Sequence, residues 1–463
     1  MFVGREKELA ELNKAYNSQS FEMPVIYGRR RVGKTQLISE FIKDKRAIYM
    51  QARRTNSETN LKMLSQAILS ESPAASGAGY SNFDDAFNAL GELAKTERLV
   101  FVIDEFPYLA QSFPEISSLL QEKIDHLFAP NTKLMLILCG SSMSFMEEQV
   151  LGYESPLYGR RTLQIKVEPF DFFTAKLLWK SMSNEDAALC YGITGGIPAY
   201  AAKIDPKLSL EKNIIQLYLT PSAYLFEEPS NLLMQECRNP EQYDAIIQAI
   251  ASGKSKISEI ASTTSIPASN TKLYIDKLAS LGIVKRELPF GETSNKKAVY
   301  ALNDQMFRFW FRFIPQNIGL IQNDMAQIVY KRIKELLNDY MGNVFEIICE
   351  QFIYKLARES KLDVLPARIG RWWGTDKRTK TQEEIDIIVD DACGASIFCE
   401  CKWRNEKTSH SVLEKLMYRS ELFQRNDKRY MLFAKREFSD ACIKEAALRD
   451  DITLFTFDDM CKK

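Results

Sequence analysis

Histidine is nearly missing from this chain: His126 and His410 are the two in 463 residues. Neither has a nucleophile or a metal-ligating partner close by in sequence, so chemistry built on histidine is not expected. A net charge is missing as well, since 61 Lys and Arg balance 61 Asp and Glu. No bulk attraction toward nucleic acid or membrane follows, and any such binding must come from local patches. The nine cysteines are scattered. Cys399 and Cys401 stand two apart without a second pair, which argues against zinc, and dispersed thiols fit a reducing cytosol. Long apolar runs and a charged-then-apolar leader are both lacking, so no membrane partner and a cytoplasmic location are expected. What remains, 45% hydrophobic and 26% charged residues, describes a soluble globular chain of about three domains by length.

The stretch Gly28-Arg29-Arg30-Arg31-Val32-Gly33-Lys34-Thr35 fits a Gly, four free positions, then Gly-Lys-Thr. A short apolar run, Met23 to Tyr27, precedes it, and Gln36 to Ile42 follows with the spacing of an amphipathic helix. A strand–loop–helix of this kind wraps a phosphate in backbone N–H groups and adds the positive end of the helix dipole. Lys34 would reach the β- and γ-phosphates of ATP or ADP, the Thr35 hydroxyl would hold Mg2+, and Gln36 is grouped with the loop as nucleotide-contacting.

Leu99 to Ile103 is a continuous apolar run, as a buried parallel strand requires, and it ends at Asp104-Glu105. Asp104 is expected to hold the magnesium shell and Glu105 to polarise the attacking water. A second such run, Lys133 to Cys139, ends at Gly140-Ser141-Ser142. Ser141 or Ser142 would sense the γ-phosphate from the middle of the sheet; a strand that simply exits into a Gly-Ser turn would read the same. Further expected elements are a helix carrying Leu9, Leu12 and Tyr16, a strand from Ala47 to Gln51, helices around 61–69 and 83–94, and a loop at Ser72–Ser81.

Phe2-Val3-Gly4-Arg5-Glu6, the loop Gly28 to Thr35, Asp104 to Leu109 and Gly140-Ser141-Ser142 together resemble the archaeal-type ATPases, AAA-related P-loop proteins close to the signalling class. Pro156-Leu157-Tyr158-Gly159-Arg160-Arg161 matches that family too. The resemblance implies an arginine that touches the γ-phosphate in cis or from a neighbouring copy, Arg160 first and Arg161 second, and leaves a homo-oligomer open. It also implies that Gly192 to Pro198 lies against the nucleotide, with Pro198 positioning the helix after it.

From Glu241 the pattern becomes three short helices and a hairpin. This order looks like a winged helix-turn-helix, whose third helix would offer Asn270, Thr271, Lys272 and Lys277 to DNA, with Leu273, Leu278 and Leu281 on its buried face. Lys285, Arg286, Lys296 and Lys297 on the wing would contact phosphates. The ring-dense run Phe307 to Phe313 reads as core. Beyond it, long helical patterns at Ile321–Tyr340 and Gly342–Ala357 precede a hairpin of Ile385–Val389 and Ser396–Trp403. Asp386 on one strand and Glu400-x-Lys402 on the next resemble the PD-(D/E)XK nuclease fold, with Glu346 as the preceding helical acid. In that fold Asp386 and Glu400 would hold Mg2+ and Lys402 would position a water.

The expected fold class is α/β: a P-loop parallel sheet (1–180), a helical lid (181–238), a winged helix-turn-helix (239–315) and a restriction-endonuclease-like domain (316–463). The expected function is an ATPase coupled to DNA through the winged helix and a metal-dependent nuclease domain. A switch that binds protein partners without touching nucleic acid is the alternative.

Overall fold

The computed structural model describes residues 2–71, 79–391 and 394–462. Most of the Ser72–Ser81 stretch, and the middle of the turn between Asp390 and Ala395, lie outside the described residues. The chain divides into two compact units, Met1–Pro169 with Ile197–Ala199, and Phe170–Gly196 with Tyr200–Lys463. None of its described helices is long and apolar enough to cross a membrane.

The first unit is built on five parallel strands: β1 Pro24–Tyr27, β2 Ala47–Gln51, β3 Leu99–Asp104, β4 Leu134–Gly140 and β5 Leu163–Lys166, in the order β2-β3-β4-β1-β5. The three central strands are buried along their whole length, whereas β2 and β5, at the edges, are only partly so. Covering on both faces is why the central strands read as unbroken apolar runs. Val25, Phe101, Ile103, Leu136 and Leu138 form the middle of the core. The strand order has a functional consequence. It puts β4 between β1 and β3, so whatever follows those strands meets at one edge of the sheet.

The second unit has two sheets. Helices Pro240–Ala251, Ile257–Thr264 and Ala268–Ser280 precede an antiparallel pair, β6 Val284–Glu287 and β7 Val299–Leu302. The third helix departs from expectation. It buries Thr271, Ile275 and Leu278, spaced for one helical face, while Leu273 lies off that face and is 66% exposed. Thr271, expected to face DNA, is fully buried and donates its hydroxyl to the carbonyls of Ile266 and Pro267. The aromatic run forms helix Gln305–Phe313, whose rings pack inward while Arg308 and Arg312, four apart, share the outer face. Instead of two long helices there is one, Ala326–Arg358, preceded by the short Ile318–Gln322. Gly342 does not interrupt it: an interior glycine costs about 1 kcal/mol, less than the burial of the thirteen residues that pack this helix.

A mixed five-stranded sheet completes the unit: β8 Arg368–Thr375, β9 Gln382–Asp390, β10 Ala395–Lys402, β11 Asp427–Ala434 and β12 Ile452–Thr456, ordered β12-β11-β10-β9-β8. β8, β9 and β10 run antiparallel in turn, and β10, β11 and β12 are parallel. The parallel step from β10 to β11 needs a crossover, supplied by helix His410–Ser420.

Candidate functional site

The loop after β1 is shaped by backbone constraints before any side chain acts. Gly28 has φ +154°, and a Cβ there would stand 2.4 Å from the Val167 carbonyl oxygen, so glycine is required. Gly33 (φ +91°) opens helix Lys34–Ile42, which anchors itself through buried Leu37, Ile38 and Phe41. Val32 is fully buried, while Thr35 and Gln36 lie exposed on the first turn. Lys34 folds over the loop, its Nζ donating to the carbonyls of Gly28 at 2.8 Å and Arg29 at 3.0 Å. Burial lowers its pKa below the ordinary lysine value, against the pull of Glu105 and Asp104.

Asp104 ends β3, 1% exposed. Its Oδ2 accepts from Thr35 Oγ1 at 2.9 Å and from Tyr49 OH at 2.6 Å, and its Oδ1 accepts from the Glu105 backbone N–H at 2.9 Å. Burial, reinforced by that bond to Asp104, raises the Tyr49 pKa far above the usual phenol range, so the hydroxyl keeps its proton. Glu105 itself adopts the left-handed region (φ 55°), a strained setting that turns its side chain toward β4. There Ser141, 3% exposed, donates its hydroxyl to both carboxylate oxygens at 2.9 and 2.8 Å and its N–H to one at 3.3 Å. Lys34, Thr35, Asp104, Glu105 and Ser141 therefore come together, as the order of β1, β4 and β3 dictates.

Several contacts around this group were not legible. Tyr49 reaches Asp104 from the neighbouring strand β2. Arg30 Nη2 donates to Tyr108 OH at 2.6 Å. Arg5, 6% exposed, donates to the Val32 carbonyl at 3.1 Å and the Glu168 carbonyl at 2.6 Å, bracing the loop from behind. The Gly-Arg-Glu signal was visible, but its partners are 27 and 163 residues away. Pro198 belongs to the first unit and packs beside the loop, its ring 3.9 Å from where a Gly33 Cβ would stand. Next to it the Ala199 N–H donates to the carbonyl of Arg31, itself left-handed at φ 71°. Arg160 does not join this group within the chain. It precedes β5, at the opposite edge of a parallel sheet, and pairs with Asp125 at 2.8 and 2.6 Å.

In the second unit the predicted acids and lysine also meet. Lys402 Nζ lies 2.6 Å from Glu400 Oε1 and 3.7 Å from Asp386 Oδ2, and Asp386 accepts from the Cys401 backbone N–H at 2.8 Å. Burial opposes the Lys402 charge, but Asp386 and Glu400 outweigh it and raise its pKa. Burial, then Asp386, raises Glu400. Glu346 shares a cleft of about 260 Å³ with Asp386 and Arg371, and burial, then the Asp386 charge, lifts its pKa to about 7. Arg419, unforeseen, joins from the crossover helix: 7% exposed, it contacts Glu400 at 3.3 Å and Glu383 at 2.8 Å. Among the described residues no three His, Cys, Asp or Glu side chains converge as a metal cage. Instead the ammonium of Lys402 and the guanidinium of Arg419 flank Glu400.

Comparison with known proteins agrees with the first unit. Residues 2–204 match the family described as an ATPase domain predominantly from Archaea, and residues 310–413 match one described as "Archaea bacterial proteins of unknown function". An uncharacterized protein of Methanocaldococcus jannaschii is 33% identical over 442 residues, 94% of this chain and 96% of that protein. An uncharacterized ATP-binding protein of the same organism is 46% identical over 46 residues, 10% of this chain and 78% of that one. Among solved structures, a Walker-type ATPase of Pyrococcus abyssi shares the fold at TM-score 0.53 and 19% identity, covering 67% of this chain and 96% of its own. With the phosphate loop, the strand-end acids and a relative alike over its whole length, the chain belongs to the archaeal-type ATPase family.

Proposed function

We propose that this chain couples ATP turnover in its first unit to work on DNA in its second. The P-loop residues Gly28 to Gln36 hold the phosphates, with Lys34 bringing its charge to the terminal ones. The hard oxygens of Thr35 and Asp104, already 2.9 Å apart, suit Mg2+, which when bound supplies charge neutralisation on the phosphates. Glu105 takes the proton of the attacking water, and Ser141 holds that carboxylate in register through both oxygens. Tyr49 keeps Asp104 oriented toward Thr35. Arg160, committed to Asp125 within the chain, serves the γ-phosphate only if a second copy brings it there.

The second unit reads as a helix–helix–helix–hairpin module, of winged-helix type, followed by a nuclease-like sheet. What carries this reading is the meeting of Glu346, Asp386, Glu400 and Lys402 from one helix and two adjacent strands. Asp386 and Glu400 offer the oxygen donors that a magnesium ion prefers, and Lys402 orients a water or a phosphate oxygen. A second reading, gripping nucleic acid without cutting it, draws on the double pairing of Glu400 with Lys402 and Arg419, which leaves its charge compensated.

The test is turnover and cutting in the same preparation. Glu105→Gln is expected to lower ATP hydrolysis by about 10²- to 10⁴-fold while binding persists. Lys402→Ala should remove any magnesium- or manganese-dependent cleavage. Cleavage that survives Lys402→Ala would refute the nuclease assignment, and no cleavage of any DNA or RNA would leave the gripping reading.

A further inference from the structure

The second unit carries a second cleft, about 420 Å³, in which five cationic side chains face two acids. The cations are Lys254, Lys285, Arg308, Arg312 and Arg371; the acids are Glu287 and Asp339. They arrive from four separate elements: the turn after helix Pro240–Ala251, strand β6, helix Gln305–Phe313 and strand β8. A solvated helix face would draw them from one element. Gathering like charges this closely costs energy unless an anion offsets it.

The compensation within the protein is incomplete. Lys285 pairs with Glu287 at 2.5 Å and Arg371 with Glu384 at 2.7 Å. Among the described residues Lys254, Arg308 and Arg312 form no ion pair; Arg308 is held instead by Asn343 and by the Tyr340 ring at 5.4 Å. Arg371 is distinctive in its backbone as well. The register of β8 against β9 shifts between Gly370 and Trp372, a bulge that lifts Arg371 out of the ladder. Among the described residues its Nε is buried without an acceptor, a donor that a phosphate oxygen would satisfy.

This basic cleft shares Lys285, Glu287, Asn343 and Arg371 with the smaller cleft that ends at Glu346 and Asp386. Two clefts joined through shared residues, one rich in cations and the other ending at acids, suit a chain of phosphates better than a single one. While the half-buried Trp373 lines the smaller cleft, in the basic one Tyr300 and Tyr340 are only 7% and 6% exposed and offer bases no stacking platform. We infer that this cleft tracks the phosphodiester backbone of a nucleic-acid strand, independently of sequence, and leads it toward Glu346 and Asp386. The inference rests on the nucleic-acid reading of the second unit, and not on whether that unit cuts.

The experiment is fluorescence anisotropy of a labelled oligonucleotide with the full chain over a series of salt concentrations. Lys254 and Arg312 are both exposed, so Lys254→Glu with Arg312→Glu is expected to leave the thermal midpoint in place. It should weaken binding about 10- to 100-fold for every sequence tried and lower the salt slope by about 1.4 to 1.8, the value for two phosphate contacts. Should charge reversal unfold the chain, Lys254→Gln with Arg312→Gln reads the same slope. Wild-type affinity and slope in the variant would overturn the cleft while leaving nucleic-acid binding elsewhere on the unit intact. No oligonucleotide binding at low salt, or binding of inorganic tripolyphosphate alone, would overturn both. Lys402→Ala that abolishes cutting but keeps the affinity supports the cleft as a separate binding element.

Discussion

At the scale of single residues, the nucleotide site depends on one carboxylate with several claims on it. Asp104 accepts from Thr35, Tyr49 and the backbone of Glu105. Tyr49→Phe removes one donor from a buried charged acceptor, and a charge-assisted bond contributes about 1.5–3 kcal/mol. Chemical denaturation should therefore show a loss of that order, with fluorescence-monitored ATP binding weakened less than in Lys34→Ala. For Lys34→Ala the affinity loss should be about 10- to 100-fold, because on the proposed reading the lost group carries the charge that meets the phosphates. Glu346 supports a pH prediction. Its folded pKa is raised to about 7, above the ordinary glutamate value, so its contribution to stability is full in acid and is lost as pH rises through that value. Glu346→Gln should thus be more stable than wild type at pH values above about 8 by roughly 1–3 kcal/mol, with the gain vanishing below about pH 4. Denaturation curves at both ends of that range check the sign.

At the scale of elements, the constraint lies where one segment presses on another. Gly28→Ala forces a Cβ to 2.4 Å from the Val167 carbonyl, and backbone cannot step aside as a side-chain tip can. A cost of about 2–4 kcal/mol in thermal or chemical unfolding is expected. Gly159→Ala, with φ +77° and nothing within 4 Å, should lose only about 1–2 kcal/mol from its left-handed backbone. If the two variants lost the same stability, close approach would not be the reason for Gly28. In the second unit the crossover helix earns its place through Arg419. Arg419→Ala leaves Glu383 without its cation and Glu400 with Lys402 alone, and a loss of about 3 kcal/mol is expected, the lower end for a buried pair broken from one side.

At the scale of the whole molecule, two units hold two clusters, each assembled from strand ends and a helix. If they are coupled, ATP turnover measured with and without DNA should differ, and Lys254→Glu with Arg312→Glu should remove the difference without changing turnover in the absence of DNA. Equal rates under both conditions would separate the two units functionally. Much of the first cluster was legible because local chemistry demands it: a Gly-Lys-Thr loop must follow a strand, and acids must end a buried one. The acid–acid–lysine set was legible for a similar reason, since alternation along β10 puts Glu400 and Lys402 on one side. Leu273 and Thr271 were misassigned because leucine spacing alone does not reveal which helical face finds a partner. Sequence by itself determined the strand ends, the loop and the residue types that do chemistry, because backbone sterics and period-two or helical spacing act over a few residues. Only the tertiary structure decided that Tyr49, Arg5 and Arg419 brace those sites, that Arg160 pairs with Asp125, and that cations from four elements share one cleft. Those contacts join residues far apart in the chain, where no local rule operates and packing alone selects the neighbour.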